Sequence, residues 1–432
     1  MPSSASAATP TAQLPPYLDA ALLRGDGRSV FIETYGCQMN VSDTEVVRAL
    51  LNEAGYARAM AADSADVVLI NTCAIREGAE AKIWNRLREL RAIGSRDRRT
   101  RAERGDPPRL VGVLGCMGER LKGKLLEAER LAHVVCGPDA YRSLPRLLAQ
   151  AGTGQPSLDV ALSIDETYAD VAPVREGRDG VSAFVSVMRG CNNMCSYCIV
   201  PFTRGRERSR PGASIMAEVD RLAEEGYKEV TLLGQNVNSY ADSSEGASSP
   251  LPELREGFKA KVVAAPPRTL TRRRRLTARV SPHATRMCLV AQVPPAKGDT
   301  RFAEMISVLA EKHPEMRFRF TSPHPKDFPD PLLHAIAEHP NVCNSLHIPA
   351  QSGSTAVLEA MRRGYSRETY LTLVERVREL LPGAALSSDF ISGYCGETAE
   401  DHEQTLSLLR EVRFEKAFMF AYSMREKTHA HR

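Results

Sequence analysis

Three closely spaced cysteines constrain this 432-residue chain more than any other feature. Cys191, Cys195 and Cys198 lie in the stretch MRGCNNMCSYCIVP, with the spacing Cys-x3-Cys-x2-Cys. Three thiolates in one short loop suit an iron–sulfur cube whose fourth iron has no protein ligand. Structural zinc sites, the main alternative, require a fourth Cys or His nearby, whereas the next such residues are His283 and Cys288. The loop therefore predicts a [4Fe–4S] cluster with one open iron, which can bind a small molecule and pass it an electron.

Strand and helix patterns alternate from Val30 to Gly152, and three of the strand patterns end just before Cys37, Cys73 and Cys116. This alternation predicts an open parallel sheet with helices on its faces. Because the carboxyl ends of parallel strands line one edge, where ligands bind, these three cysteines are predicted to meet. A single buried cysteine is more often a small apolar residue, and Cys136, at a different strand end, is assigned that structural role.

Six more strand patterns alternate with helices from Ala183 to Tyr422, after an irregular linker predicted from Gly154 to Asp179. They predict a second parallel βα unit. Polar residues lie at or near the carboxyl ends of its strands: Gln235, Asn236, Ser322, His324, Gln351, Ser352, Ser388 and Asp389. Each of them is a candidate functional residue, but such residue types also favour turns. Both interpretations, functional and structural, stay open for each of them.

The stretch RGCNNMCSYCIVP resembles the signature of the radical S-adenosylmethionine enzymes, and with FTRGRERSRP it resembles their methylthiotransferase branch. Upstream, TYGCQMNVSDTE, NTCAIRE and GCMGER resemble the amino-terminal domain of that family. The residues CQMN favour the branch that acts on N6-isopentenyladenosine. The resemblance covers Val30 to Gly152, Ala183 to Ala241 and Arg301 to His429.

The resemblance implies an α/β fold in which an N-terminal open parallel domain precedes a partial six-stranded βα radical-SAM barrel. In such barrels the chemistry lies at the carboxyl ends of the strands. The family continues with a final helix and an RNA-binding TRAM β-barrel, and we expect both to be absent because the chain stops at Arg432. The expected divisions are a disordered leader (1–29), a cluster-binding domain (30–152), a linker (153–180) and a radical-SAM domain with a truncated C-terminus (181–432).

The same resemblance implies two [4Fe–4S] clusters and S-adenosylmethionine as cofactors. Cys191, Cys195 and Cys198 would hold the cluster that cleaves S-adenosylmethionine to a 5′-deoxyadenosyl radical. A second cluster, which delivers sulfur, would be held by the strand-end cysteines Cys37, Cys73 and Cys116. The expected contacts to S-adenosylmethionine are Gln235, Asn236, Ser388 and Asp389.

The implied reaction adds a methylthio group to C2 of N6-isopentenyladenosine next to the anticodon of mitochondrial tRNAs. The implied partners are the tRNA anticodon stem-loop and an electron donor of the ferredoxin or flavodoxin type. Arg204, Arg206, Arg208 and Arg210 follow the cysteine loop, and either contact RNA phosphates or form a solvated charged loop. The alternative function is a catalytically impaired regulator that binds a protein, such as a protein kinase regulatory subunit.

The sequence does not indicate a membrane protein or a secreted protein. No apolar run is long enough to span a bilayer, and ten cysteines in a chain of this length indicate metal or redox use in a reducing compartment. The first residues are rich in Ser, Ala and Pro and make a poor transit peptide. A mitochondrial location is therefore expected from the resemblance alone, with a cytoplasmic location as the alternative.

Residues 246–297 do not resemble the family. Between Leu251 and Lys297 there are eleven Lys and Arg residues and two acids, without hydrophobic periodicity. The segment is either a nucleic-acid or nuclear-import patch or a disordered insertion. We favour the insertion, since long segments without their own structure are usually disordered.

Overall fold

The computed structural model describes residues 24–73, 77–127, 131–175, 180–242 and 300–432. Most of the expected leader and the whole of the basic insertion 246–297 therefore lie outside the described residues. Within the described ranges, every helix is too short or too polar to cross a bilayer.

The first half of the described chain is a parallel sheet with helices on its faces. In chain order its elements are β1 Ser29–Tyr35, α1 Gln38–Glu53, β2 Ala57–Arg58, β3 Val67–Thr72, α2 Glu77–Arg104, β4 Leu110–Gly115, α3 Cys116–Leu121, α4 Lys124–Glu127, β5 Val134–Cys136, α5 Leu144–Gly152 and β6 Ser157–Asp159. The strand order is β2-β1-β3-β4-β5-β6, and all pairs are parallel. Every residue of β3 and β4 is buried, as in central strands covered on both faces. The predicted open parallel α/β domain is confirmed.

Two helix predictions in this half are wrong in extent. Hydrophobic periodicity predicts one helix from Glu119 to Leu131, but Lys122 adopts a left-handed φ of 50° that ends α3, and α4 follows as a separate helix. It also predicts a helix from about Ile75 to Ile93, whereas α2 continues to Arg104. Its last turns carry many arginines and few apolar residues, so hydrophobic periodicity gives no signal there.

The second half is an open arc of parallel strands. Its elements are β7 Ser182–Ser186, β8 Met188–Arg189, α6 Val200–Thr203, β9 Arg208–Ser209, α7 Gly212–Glu224, β10 Glu229–Leu233, β11 Ala241–Asp242, β12 Thr300–Arg301, α8 Phe302–Lys312, β13 Arg317–Phe320, α9 Asp330–Glu338, β14 Ser345–His347, α10 Thr355–Ala360, α11 Arg367–Leu380, β15 Ala385–Ser392, α12 Ala399–Val412 and β16 Lys416–Ala421. Strands β7-β10-β13 and β14-β15-β16 form two parallel sheets. A parallel bridge between Phe318 and Val342 joins them. In the described part of the chain β16 does not pair with β7, which confirms a partial barrel.

The segment predicted to be irregular, Gly154 to Asp179, is ordered where it is described and contacts both halves. It supplies the edge strand β6, and Tyr168 is 4% exposed and stacks on Tyr141 with 5.7 Å between ring centroids. Further along, Arg175 forms ion pairs with Glu45 of α1 and Glu218 of α7. These contacts were missed because they use single polar and aromatic residues rather than a periodic pattern.

Candidate functional site

The cysteine loop of the second half begins at a glycine that no other residue can replace without strain. Gly190 has a φ of +77°, and a Cβ there would overlap with the carbonyl group of Arg206. Its backbone N–H donates to Gln235 Oε1 over 2.6 Å. After this turn, Cys191 N donates to the carbonyl of Gly205 at 3.2 Å, so the loop is held at its first cysteine by the segment that follows it.

The three thiols of this loop lie in a nearly dry environment. Cys191 and Cys195 are buried and Cys198 is half-buried. Burial raises the pKa of both the Cys191 and the Cys198 thiols to about 12. A thiol must lose its proton to bind metal, so metal binding at this loop would release protons and depend on pH.

Two nitrogen donors from distant turns approach Cys195. Arg363 Nη1 lies 3.4 Å from Cys195 Sγ, and His324 Nε2 lies 4.0 Å from the same sulfur. His324 Nδ1 accepts from Lys326 N at 3.2 Å, which places the ring proton on Nε2. Burial, followed by the charges of Arg363 and Lys326, lowers the pKa of His324 to about 2, so the imidazole is neutral. Hydrogen bonds donated to a ligand of a metal cluster are a recognised means of adjusting the reduction potential of that cluster.

The structure also brings together the strand-end cysteines of the first half. Cys37 follows β1, Cys73 follows β3, and Cys116 begins α3. A hydrogen bond with Cys73 is the main cause that lowers the pKa of Cys37 to about 6. At Gly36, with φ +132°, a Cβ would lie 2.7 Å from Cys73 Cβ, so the close approach of these two loops requires glycine.

Arg204 completes this second group from the opposite half of the chain. Its Nε lies 3.2 Å from Cys116 Sγ, and its Nη2 donates to Asp43 Oδ2 at 2.6 Å. Burial raises the pKa of the Cys116 thiol, and the Arg204 guanidinium opposes that rise. Among the described residues, no three His, Cys, Asp or Glu side chains are arranged to hold a single metal ion. A [4Fe–4S] cube does not require three side chains to meet at a single metal ion, because each thiolate binds its own iron.

The four arginines after the cysteine loop do not behave as either alternative predicted. Arg204, Arg208 and Arg210 are buried. Arg204 is paired with Asp43, Arg208 with Asp139 and Arg210 with Glu218. Both predictions, phosphate contacts and a solvated loop, are therefore wrong for these three arginines, and only Arg206 of the four is exposed. Charge alone in the sequence cannot separate a buried pair from a solvated arginine.

Asp43 is the centre of a charge cluster between the two halves. It is fully buried and accepts from Arg189 Nη1 at 2.9 Å as well as from Arg204, while Tyr141 OH lies 3.3 Å away. Burial opposes ionisation of this carboxyl, but the two guanidinium charges outweigh burial and hold its pKa below the usual value. The Arg189 guanidinium also lies 4.7 Å from the centre of the Tyr168 ring.

The residues predicted to contact S-adenosylmethionine divide into two pairs. Gln235 Nε2 and Asn236 Oδ1 are buried without a hydrogen-bond partner in the described part of the chain. One is a donor and the other an acceptor, beside the cysteine loop. In contrast, Ser388 Oγ accepts from Ala350 N at 2.9 Å, and Asp389 Oδ2 lies 3.4 Å from His347 Nε2. The first pair has free groups for a ligand, whereas Ser388 has a structural partner.

The other strand-end candidates have mainly structural roles. Ser322 and Gln351 adopt left-handed φ values of 61° and 72° at their turns. Ser352 Oγ is hydrogen-bonded to Thr405 Oγ1 at 3.2 Å. Sequence patterns missed Glu207, whose carboxylate accepts from the backbone and side-chain nitrogens of Asn192 and from Asn236 Nδ2. An acidic residue inside an arginine-rich stretch is the only signal that could have pointed to it.

Comparisons with known proteins match each half separately and the chain as a whole. Residues 29–137 match the uncharacterized protein family UPF0004, and residues 185–409 match the radical SAM superfamily. The chain is 52% identical over 419 residues to the mitochondrial tRNA methylthiotransferase CDK5RAP1 of Rattus norvegicus, covering 96% of this chain and 65% of that protein. It is 50% identical to a CDK5RAP1-like protein of Oryza sativa, covering all of this chain and 68% of that protein.

A bacterial relative is also covered over most of its length. The chain is 44% identical to the tRNA-2-methylthio-N(6)-dimethylallyladenosine synthase of Chloroherpeton thalassium, covering 93% of this chain and 75% of that protein. Among solved structures, the radical S-adenosylmethionine methyltransferase TsrM of Kitasatospora setae is similar with a TM-score of 0.57 at 13% identity, covering 94% of this chain and 77% of that one. That likeness concerns the fold. The chain spans just under two thirds of the length of the mammalian relatives.

Proposed function

Because the chain belongs to the methylthiotransferase family of the radical S-adenosylmethionine enzymes, we propose that it adds a methylthio group to N6-isopentenyladenosine in tRNA. The modified atom is C2 of the adenine ring, in the base next to the anticodon. Its hydrogen is too weakly acidic for a side chain to remove at neutral pH, so a cofactor must carry the chemistry.

The two cysteine groups hold two clusters with different functions. Cys191, Cys195 and Cys198 hold the first [4Fe–4S] cluster, and Cys37, Cys73 and Cys116 hold the second. When bound, the first cluster supplies the electron that cleaves S-adenosylmethionine to a carbon radical, and the second supplies sulfur. The donor sets suit this assignment, since each supplies three thiols for the four irons of a cube. In the described part of the chain His324 also lies beside the first set, but its Nε2 faces Cys195 Sγ at 4.0 Å as a donor.

The protein's own residues orient the small-molecule ligand. Gln235 Nε2 and Asn236 Oδ1 are the buried groups without partners next to the Cys191 loop. A donor and an acceptor are what the carboxylate and amino groups of S-adenosylmethionine require. Asp389, whose half-buried side chain lies beside His347, is proposed as a further contact, while Ser388 positions the chain through Ala350 N. Buried polar atoms are normally satisfied, which supports a ligand at this place.

The observation that carries the proposal is the packing of one cysteine group against the residue that follows the other. Cys116 of the second group packs against Ile199, the residue after Cys198, and Phe202 packs against both. Helix α3, which begins at Cys116, lies against α6. Sulfur transfer to a carbon radical needs the two centres close together, and the packing of α3 against α6, which begins two residues after Cys198, supports that arrangement.

The test is iron content after anaerobic reconstitution, together with the tRNA product. We expect about eight irons per chain, since each cube holds four, and about four after either Cys37→Ala or Cys191→Ala. Cys136→Ala, a buried cysteine outside both groups, is the matched control and should leave the iron content unchanged. An iron content that stays the same in Cys37→Ala would rule out the second cluster.

A second candidate function is a regulator that binds a protein kinase subunit without catalysis, which the name CDK5RAP1 of the relatives favours. Mass spectrometry of tRNA from cells that carry only this chain separates the two. The methylthio group supports the enzyme, and its absence in the presence of both clusters supports the regulator. We propose the tRNA anticodon stem-loop and a ferredoxin- or flavodoxin-type reductase as partners, and a mitochondrial location as for the relatives so named.

A further inference from the structure

We propose that Arg204 is a positioning residue that adjusts the second cluster from the opposite half of the chain, through a hydrogen bond to its ligand Cys116. The inference rests on the proposed function only in requiring that this cluster exists. It assigns to the arginine a role beyond holding the two halves together.

The three guanidinium nitrogens of Arg204 have different surroundings. Nε lies 3.2 Å from Cys116 Sγ and Nη2 lies 2.6 Å from Asp43 Oδ2. The side chain is 4% exposed, and Nη1 is buried without a partner in the described part of the chain. Asp43 fixes the plane of the guanidinium by a charge-assisted bond, so the Nε–H stays directed at the sulfur. A buried donor without a protein partner is also what a non-protein acceptor nearby would explain.

The electrostatic effect on the cluster has a definite sign. A cube with three thiolate ligands gains negative charge when it is reduced, and it does so here in a buried site. A buried guanidinium next to one thiolate stabilises the more negative form, as do hydrogen bonds to the ligand sulfur. Arg204 is therefore expected to raise the reduction potential of the second cluster.

This effect exists only while the two halves are docked. Cys116 begins α3 in the first half, whereas Arg204 follows α6 in the second, six positions after Cys198. The guanidinium thus contacts a ligand of one cluster from the segment that directly follows the ligands of the other. Loss of the interface would remove the Cys116 hydrogen bond and lower the potential, so the second cluster is adjusted only in the assembled chain.

The experiment isolates the second cluster in a full-length chain that carries C191A, C195A and C198A. Its midpoint potential is measured by redox titration monitored by electron paramagnetic resonance. In this background R204Q should shift the midpoint to lower potential, and R204K, which keeps the charge, should shift it less. R206Q, at the exposed arginine two positions away, is the matched control and should not change it. An R204Q midpoint equal to that of its parent would overturn the proposal.

A second measurement needs no substitution at Arg204 and covers a variant that fails to fold. The same background chain is labelled with 15N in the arginine guanidino groups, and the reduced cluster is examined by pulsed electron paramagnetic resonance. A 15N hyperfine coupling is expected from the donor next to Cys116, and its absence would overturn the proposal. Iron content distinguishes the two failures. A background chain without iron would refute the second cluster and with it the proposed function, whereas bound iron without the coupling would refute only the role of Arg204.

Discussion

Asp43→Asn is expected to loosen the contact between the two halves of the chain. The substitution keeps the size of the side chain but removes the charge that compensates two buried guanidinium groups, at 2.9 Å to Arg189 and 2.6 Å to Arg204. Those side chains are 3% and 4% exposed, so water does not replace the lost partner. Removing one partner of a buried ion pair costs about 3–5 kcal/mol. Because one Asn oxygen still accepts from one arginine, we expect the lower end of that range.

The assay is equilibrium unfolding in urea followed by the fluorescence of Trp84, the only tryptophan in the chain. Trp84 packs against the core of the first half, so it reports the half that carries Asp43. With a slope of about 3 kcal/mol per molar urea, the midpoint should fall by about 1 M. Asp330→Asn is the matched control, because Asp330 is 54% exposed and pairs with Arg376 at 3.0 Å. Exposed pairs contribute about 0–1 kcal/mol, and equal midpoints in the two variants would refute the reasoning.

Three further substitutions test particular features of the structure. Gly190→Ala should remove the iron of the first cluster only, because a Cβ there has no room, whereas Gly226→Ala, with φ +92° and nothing within 4 Å among the described residues, should retain all iron and cost about 1–2 kcal/mol. Burial lowers the pKa of both His133 and His324, so folding favours the neutral form of each imidazole. The free energy of unfolding should therefore fall as pH decreases below about 6.5, and His133→Asn should show a weaker dependence than the unsubstituted chain in urea titrations from pH 7 to pH 5. Tyr168→Phe leaves the N–H of Tyr141, 2.9 Å from the hydroxyl, without an acceptor, and calorimetry should show a loss of about 1–3 kcal/mol.

The order of strands and helices was predictable from the sequence because both halves are built on hydrophobic periodicity. Strand β3, for example, begins with the apolar run VVLI, and alternation with helices indicates a parallel arrangement. The place of Cys37, Cys73 and Cys116 at strand ends follows from that topology alone. Helix ends were less predictable, since a left-handed residue such as Lys122 has no reliable signal in a single sequence.

The charges around the site were not predictable, because the sequence does not say which arginine meets which acid. Arg208 and Asp139 are 69 positions apart and their ion pair is almost fully buried. Arg363 reaches Cys195 from a turn 168 positions further along the chain. Such contacts depend on how two sheets dock, and docking is a property of complete surfaces rather than of local pattern. The arginine-rich stretch was therefore predicted to contact phosphates or solvent, whereas in the fold it lies in a buried interface.

The buried charges also bear on whether the two halves move relative to each other during the reaction. Separating them would expose Asp43 together with Arg189 and Arg204, and would at the same time break the bond from Arg204 to Cys116. Each of these groups has exchanged its hydration water for a fixed protein partner. If the two halves separated only partly, the charges would have neither water nor a partner. The closed form is consequently favoured. The separation of the two proposed clusters is then set by the protein interface, and the tRNA that we propose as substrate would approach a site whose two halves are already in place.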